Sequence, residues 1–156
     1  MKKILLVYFS RTGTTKKLAG LIAEKTGAVV EELIDTVSRK GVIGYIISGR
    51  DATRRRLTKL EPFKSNLAEF DVVIIGGPIW SWNMCVPVRT FLNEHKSEIK
   101  EAAFFCTMGG SGFERAFKEM EEIINKKPLA ALALKTIEVV NGKFENVEEF
   151  CQKIKE

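Results

Sequence analysis

The chain has 156 residues, of which 45% are hydrophobic and 29% charged, a composition typical of a single globular domain. Its apolar runs are much shorter than the roughly 20 residues that a membrane-spanning helix needs. Its three cysteines are widely spaced and include no Cys-x-x-Cys pair, which disfavours a disulfide framework or a zinc site. A cytoplasmic location is the simplest interpretation, because no small-residue cleavage site follows the short apolar run near the N-terminus.

The basic residues are unevenly distributed along the chain. Residues 35–60 contain seven basic and two acidic residues, a net charge of +5 that equals the net charge of the whole chain. We therefore predict a neutral domain with one basic segment, which includes the run Arg54-Arg55-Arg56. Such a segment would attract an acidic partner or an anionic ligand.

Buried-strand and amphipathic-helix patterns alternate along the chain. The predicted strands are Lys3–Phe9, Val29–Ile34, Phe70–Gly76, Ala102–Met108 and Leu129–Val140. The predicted helices are Thr14–Lys25, Val86–His95, Asn146–Lys155 and one that starts at a Ser111/Glu114 capping box and runs to about Ile124. The interval 35–69 predicts a further helix and an irregular surface excursion. The alternation indicates one α/β domain over residues 1–156, a three-layer sandwich with a parallel sheet covered on both faces.

A run of hydroxyl side chains follows the first predicted strand. Ser10, Thr12, Thr14 and Thr15 surround Gly13, where the chain passes from strand to helix. The hydroxyls can donate hydrogen bonds, and the helix N-terminus offers free N–H groups and a favourable dipole. The pattern therefore predicts a phosphate site, although an ordinary turn with a threonine cap would use the same residue types. It matches neither a Walker loop nor a Gly-x-Gly-x-x-Gly fingerprint.

Two more unusual loops follow the third and fourth predicted strands. The loop Gly77–Asn83 contains Trp80 and Trp82, the only tryptophans, and Thr107–Gly112 is rich in glycine. Because the carboxyl ends of parallel strands meet at one edge, the three loops are expected to form one ligand site. A tryptophan there could cover a flat ring system, while the glycines expose N–H groups to its polar edge. The plainer alternatives are tryptophans that fill the core and a simple glycine-rich turn.

The sequence SRTGTT resembles the Ser/Thr-x-Thr-Gly-x-Thr phosphate loop of flavodoxins, and IIGGPIWSWNMCVPVRTFL resembles the flavodoxin-like branch with a tryptophan-bearing loop. The resemblance covers nearly the whole chain in element order. It implies a flavodoxin-like fold, with a five-stranded parallel sheet in the order 2-1-3-4-5, and FMN as the cofactor. The residues implied for FMN are Ser10, Arg11, Thr12, Gly13, Thr14 and Thr15 at the phosphate; Pro78, Ile79, Trp80, Ser81, Trp82 and Asn83 beside the flavin; and Thr107, Met108, Gly109 and Gly110 at its pyrimidine edge.

The sequence also departs from familiar flavodoxins. Those proteins are acidic and usually have a tyrosine in the third loop that stacks on the outer flavin face, whereas this chain is basic and has Met108 there. Trp82 or the basic segment could supply the stacking partner instead. Of the two tryptophans, we expect Trp80 to contact the flavin, because it lies closer to the strand end. The fifth predicted strand is uninterrupted, as in the short-chain type.

The leading functional interpretation is an FMN-binding redox protein in electron transfer, with an acidic, ferredoxin-like partner protein. No general acid or base converges on the loops, so we predict no catalytic residue and favour electron transfer over substrate turnover. We also predict no metal ligand. A small NAD(P)H-dependent quinone or flavin reductase stays open as an alternative. The non-redox alternative is a nucleic-acid or anion-binding module that uses Arg54-Arg55-Arg56. Nucleic-acid binding is disfavoured, because the chain lacks a reading helix or a stacking sheet.

Overall fold

A parallel sheet forms the centre of the structure, a computed structural model that describes residues 1–156. The strands are β1 (Ile4–Tyr8), β2 (Val29–Glu32), β3 (Val72–Trp80), β4 (Asn83–Met84), β5 (Glu101–Met108) and β6 (Ala131–Lys135). Five of them run parallel in the order β2-β1-β3-β5-β6, and the two-residue β4 pairs antiparallel with the end of β3. The predicted sheet and its order are confirmed, with β4 as an addition.

Helices cover both faces of this sheet. They are α1 (Thr14–Thr26), α2 (Gly41–Thr53), α3 (Val86–His95), α4 (Phe113–Ile124), α5 (Thr136–Val140) and α6 (Val147–Lys155). One hydrophobic cluster joins the sheet to α2, α3 and α4, and a second joins it to α1, α5 and α6. The predicted three-layer arrangement is therefore confirmed. No helix combines the length and the apolar composition needed to cross a membrane.

The two faces of strand β1 pack against different layers of helices. Leu5 and Val7 point into the cluster with α3 and α4, whereas Ile4 and Leu6 point into the cluster with α1 and α6. All four side chains are buried. Full burial of a side chain of this size contributes roughly 1.5–3 kcal/mol to folding. Because both faces of the strand are buried, its sequence is a continuous apolar run without polar alternation.

The last strand is shorter than its sequence predicts. The run Leu129–Val140 predicts one strand, but β6 ends at Lys135 and the short helix α5 follows at once. The carboxylate of Glu138 accepts a hydrogen bond from the Lys135 backbone N–H at 2.8 Å and so caps the helix. The β-branched residues of α5 favour a strand, so this local cap overrides their propensity.

The interval 35–69 contains a helix and an irregular excursion, as predicted. After α2 the chain runs antiparallel to the segment that precedes this helix, and Leu60 forms an isolated antiparallel bridge with Asp35. A single 3₁₀ turn, Leu67–Glu69, then leads into β3. Within α2, Gly44 packs directly on the backbone of Arg39, where a Cβ atom would overlap. Glycine therefore lets α2 fold back on its own lead-in.

Candidate functional site

The strand register brings the three predicted loops to one edge of the sheet. Tyr8 of β1 pairs with Gly76 of β3, and Pro78 of β3 pairs with Thr107 of β5. The Phe9 N–H also donates to the Gly76 carbonyl at 3.1 Å. Because β3 lies between β1 and β5, its end stands between the Ser10–Thr15 loop and the glycine-rich loop. The predicted convergence of the three loops is confirmed.

In the first loop, Ser10 shapes the backbone into a cradle. Its Oγ accepts hydrogen bonds from the N–H groups of Gly13 and Lys16, at 3.1 and 3.2 Å. Gly13 has a φ of 96°, a conformation that favours glycine. The N–H groups of Thr14 and Thr15 lie in the first turn of α1, so they have no acceptor within the helix. These N–H groups and the exposed Thr12 are available to an anion.

The Thr15 hydroxyl has a partner within the protein. Its Oγ1 is buried and lies 2.8 Å from Oγ1 of Thr107, at the end of β5. This hydrogen bond connects the first loop to the third loop underneath the site. The two hydroxyls therefore fix the spacing of the loops, and the backbone N–H of Thr15 is free to bind an anion.

The second loop is a tight hairpin between β3 and β4. Trp80 pairs with Asn83, so Ser81 and Trp82 form the turn between them. Both have positive φ values, 49° and 60°, as in a type I′ turn, which normally favours Asn-Gly. A left-handed conformation costs a residue with a Cβ roughly 1–2 kcal/mol. Such strain is concentrated at functional sites, and here it presents the Trp82 ring to solvent.

Trp82 also connects the second loop to the third. Its Nε1–H donates to Oγ of Ser111 at 3.1 Å. Gly112, at a φ of 104°, packs against Trp82, and a Cβ on Gly112 would lie only 2.8 Å from the Trp82 Cα. The predicted Ser111 capping box is therefore wrong: Gly112 is the N-cap of α4, and the Ser111 hydroxyl binds the tryptophan instead. Ser111 and Gly112 lie in the predicted loop Thr107–Gly112 and contact Trp82, although neither was among the residues implied for FMN.

The two tryptophans occupy different environments. Trp80 is only 8% exposed, and its ring meets that of Phe9 edge to face, with 5.6 Å between ring centroids. The Arg39 guanidinium lies on it, 5.7 Å from the ring centroid. Trp82, in contrast, is 62% exposed. The structure therefore favours Trp82, and not the expected Trp80, as the aromatic surface open to a ligand.

The remaining predicted residues divide between support and open surface. Met108 is buried, whereas Gly109 and Gly110 are exposed, and a Cβ atom on either would meet nothing. Pro78 and Ile79 are half-buried. Asn83 is buried and donates from its amide to the Ser81 carbonyl at 2.6 Å, which stabilises the strained turn. The glycines thus leave open space beside the Trp82 turn.

Arg11 points away from the cradle and holds α2 against the first loop. Its guanidinium donates to the carbonyl oxygens of Arg39 and Gly41, at 2.9 and 3.1 Å. The guanidinium also lies 5.4 Å from the centroid of the Tyr45 ring. The basic segment is therefore attached directly to the candidate site, a connection that no sequence pattern revealed.

Most arginines of the basic segment bind carboxylates. Asp51 accepts hydrogen bonds from Arg39, Arg50 and Arg56 at 2.9 to 3.2 Å. Burial raises the pKa of Asp51, but the hydrogen bonds from Arg39 and Arg50 outweigh this effect and leave its pKa below the ordinary value. Arg55 pairs with Glu119 at 3.0 Å, which leaves Arg54 as the one member of Arg54-Arg55-Arg56 without a carboxylate partner.

The cysteines near the site are buried and free of disulfides. Burial raises the pKa of Cys85 to about 12 and also raises the pKa of Cys106. Burial therefore favours the protonated form of both thiols and disfavours a role as thiolate nucleophiles. Cys85 instead packs against Gly77, where a Cβ would lie 2.7 Å from its sulfur.

Comparison with known proteins agrees with this architecture. A model of the flavodoxin family matches residues 3–154. The structure is similar to that of a protein from Bacteroides uniformis ATCC 8492, with 25% identity, a TM-score of 0.75 and coverage of 97% of this chain and 98% of that chain. A flavoprotein from Lactobacillus acidophilus NCFM, solved in complex with FMN, is 21% identical with a TM-score of 0.73, over 91% of this chain and 98% of that one.

A flavodoxin from the domain Archaea is 18% identical, with a TM-score of 0.56 and coverage of 99% of both chains. These structural similarities show that the fold is flavodoxin-like. The family match adds the sequence-level evidence, since it spans nearly the whole chain and includes all three loops of the site. This chain belongs to the flavodoxin family.

Proposed function

We propose that this protein binds FMN at the three loops and transfers electrons through it. The observation that carries the proposal is the convergence of an open helix N-terminus, an exposed Trp82 ring and two bare glycines, Gly109 and Gly110, at one edge of the sheet. The Lactobacillus acidophilus flavoprotein, which shares the fold, was crystallised with FMN. Bound FMN would supply the redox chemistry, and the protein would hold, orient and shield it.

The first loop fits the terminal phosphate of FMN. The N–H groups of Thr14 and Thr15, the hydroxyls of Thr12 and Thr14 and the dipole of α1 all favour a dianion at this position. Ser10 contributes indirectly, since its Oγ already binds two N–H groups of the loop. We therefore assign phosphate binding mainly to backbone N–H groups and to the Thr12 and Thr14 hydroxyls.

The second and third loops fit the flavin ring. Trp82 offers a large exposed aromatic surface, and the Gly109-Gly110 backbone offers N–H groups without steric obstruction. Trp82 already contacts Ser111 and Gly112, so the flavin ring would either lie beside these residues or displace them from Trp82. Aromatic pairs prefer offset or edge-to-face packing and contribute about 0.5–1.5 kcal/mol beyond area burial. We therefore assign to Trp82 the stacking role that a third-loop tyrosine has in familiar flavodoxins.

We further propose that the redox partner is an acidic protein that approaches over α2. The outer side of this helix exposes apolar side chains, among them Val42 and Ile43, and is flanked by Lys40 and Arg54, which lack carboxylate partners. An apolar centre with a cationic rim is a usual composition for a protein-binding surface. The quinone or flavin reductase remains the second candidate, because an exposed flavin face would also admit a small substrate.

The first test is the visible spectrum of the purified protein, followed by anaerobic mixing with NADH and with NADPH. A bound yellow flavin with an FMN mass, released on denaturation, would support the cofactor assignment. If NADH and NADPH both bleach the flavin absorbance slowly, but the protein exchanges electrons quickly with an acidic iron–sulfur protein, the protein is an electron carrier. Fast bleaching by one nicotinamide would support the reductase. A colourless protein that does not take up added FMN would contradict both.

A further inference from the structure

A cleft of about 430 Å³ lies between α2 and the β3–β4 hairpin. Its walls are formed by one side of α2, by Arg54 at the end of this helix, and by Ile79, Trp80 and Ser81 of the hairpin. None of the residues proposed for phosphate binding lines it. Its volume is within the range typical of small-molecule sites. The cleft is thus separate from the phosphate loop, but it shares one wall with the loop assigned to the flavin.

One side of the cleft is apolar and already exposed. Tyr45 is 67% exposed and Ile46 63%, although both are large hydrophobic side chains, and Ile79 and Trp80 form the opposite wall. Gly49 lets α2 lie close to the hairpin, because a Cβ there would lie 3.2 Å from the Ser81 hydroxyl oxygen. Two facing apolar walls at close separation fit a flat ring better than a branched aliphatic group.

The other side of the cleft is cationic. Arg50 and Arg54 line it, and no aspartate or glutamate does. Arg50 donates to Asp51 at 3.0 Å, so its charge is partly neutralised, whereas Arg54 has no carboxylate partner. A guanidinium is weakly hydrated and binds carboxylate or sulfonate groups through two parallel hydrogen bonds. Arg54 is therefore the group in the cleft most suited to an anion.

We propose that this cleft binds a small, flat, apolar anion, an aromatic carboxylate or sulfonate, between Tyr45, Ile46 and Ile79, with its charged group on Arg54. Binding of the anion depends only on the cleft itself. Its position beside a flavin, which would make the anion a substrate or effector of the redox site, rests on the proposed function. The closing experiment therefore measures anion binding with and without FMN.

The experiment compares three probes by isothermal titration calorimetry. Naphthalene-2-sulfonate has both the ring and the charge, naphthalene-2-sulfonamide has the ring alone, and methanesulfonate has the charge alone. We expect naphthalene-2-sulfonate to bind at one site, at least tenfold more tightly than either of the other two. Arg54→Gln should lower its affinity about tenfold and leave the sulfonamide unchanged. Ile46→Ala should weaken both naphthalene probes severalfold, and the exposed position of Ile46 keeps the fold intact.

The matched control is Lys127→Gln, which removes the same charge from an exposed residue outside the cleft, in the turn before β6. This variant should bind all three probes like the parent protein. Equal affinity for the sulfonate and the sulfonamide, or an Arg54→Gln variant that binds the sulfonate normally, would overturn the proposal.

The FMN arm separates the two hypotheses. If FMN binds and leaves the sulfonate affinity unchanged, both proposals stand. If the protein binds the sulfonate but not FMN, the cleft assignment stands and the proposed function fails. If FMN displaces the sulfonate competitively, the cleft belongs to the cofactor site and the separate anion site is refuted.

Discussion

Trp82 combines exposure with a backbone conformation that disfavours its side chain. A φ of 60° is a strained backbone conformation for a residue with a Cβ atom, and Trp82 is 62% exposed. The ring therefore contributes little to the core, while it is well placed to contact a ligand. These two properties can be separated by substitution, because glycine relieves the strain and alanine does not.

We expect Trp82→Gly to be more stable than Trp82→Ala by about 1 kcal/mol, the reverse of the usual order, because alanine keeps the left-handed penalty. Both variants should bind FMN about tenfold more weakly than the parent, which corresponds to the loss of roughly 1.4 kcal/mol of aromatic contact. Urea unfolding measures the stability and calorimetric titration the affinity. A Trp82→Ala variant that is the more stable of the two, or unchanged FMN affinity in both, would refute this role.

The hydroxyl loop shows how far single residues could be assigned from the sequence. The pattern Ser10–Thr15 correctly predicted a helix that starts at Thr14 with free N–H groups at its N-terminus. It could not distinguish hydroxyls that face a ligand from Thr15, whose partner Thr107 is distant in the sequence. The sequence also could not show that Phe9 and Arg39 bury the Trp80 ring through tertiary contacts, so the expected contact of Trp80 with the flavin stays a prediction.

At the scale of elements, one carboxylate connects three segments of the α2–α3–α4 layer. Glu119 of α4 accepts hydrogen bonds from Arg89 of α3 at 2.6 Å and from Arg55, just beyond α2, at 3.0 Å. Burial raises the pKa of Glu119, but the hydrogen bond and charge of Arg89 and the charge of Arg55 outweigh it, so its pKa lies below the ordinary value near 4.5.

We expect Glu119→Gln to lower the free energy of unfolding by about 2–3 kcal/mol at pH 7, since it leaves Arg89 buried without a counter-charge. Because the native pKa is lowered, the stabilisation by Glu119 is complete above the unfolded pKa near 4.5 and is lost as the pH falls through the native value. The difference between variant and parent should therefore shrink below pH 4.5. Urea titrations at several pH values test this, and a difference that is independent of pH would contradict it.

The bounds of an element were predicted well where its apolar periodicity is strong, and poorly where a helix cap or strand pairing sets them. Helix α3 has the predicted bounds, Val86–His95, because Pro87 fits its first turn and its apolar positions are regular. The end of β6 was missed, since the β-branched run through Val140 continues into a helix that Glu138 caps. The extension of β3 to Trp80 was also missed, because it depends on pairing with Thr107 and with β4.

At the scale of the whole molecule, the charge distribution places a positive region beside the candidate site. The net charge of segment 35–60, +5, equals the net charge of the chain, but most of its arginines form ion pairs with Asp35, Asp51 and Glu119. Lys40 and Arg54, at the two ends of α2, remain available to a partner. Steering should therefore depend on these two residues and not on the whole arginine run.

We expect the double variant Lys40→Gln/Arg54→Gln to react with an acidic ferredoxin about three- to tenfold more slowly than the parent at low salt. Exposed charges are screened over about 8 Å at physiological ionic strength, so the difference should diminish as salt is added. Stopped-flow electron transfer measures the rates, with Lys127→Gln/Lys143→Gln as the control for net charge. An equal slowing in the control, or no slowing in either, would contradict steering by α2.

The central claim is that the loops recognise FMN through its phosphate, and calorimetric titration of the flavin-free protein with FMN and with riboflavin tests it most directly. The account predicts that one FMN binds per chain and that riboflavin binds at least tenfold more weakly than FMN. Riboflavin lacks the phosphate dianion that the N–H groups of Thr14 and Thr15 and the α1 dipole would bind. Riboflavin binding as tight as FMN, or no saturable FMN binding, would contradict the account.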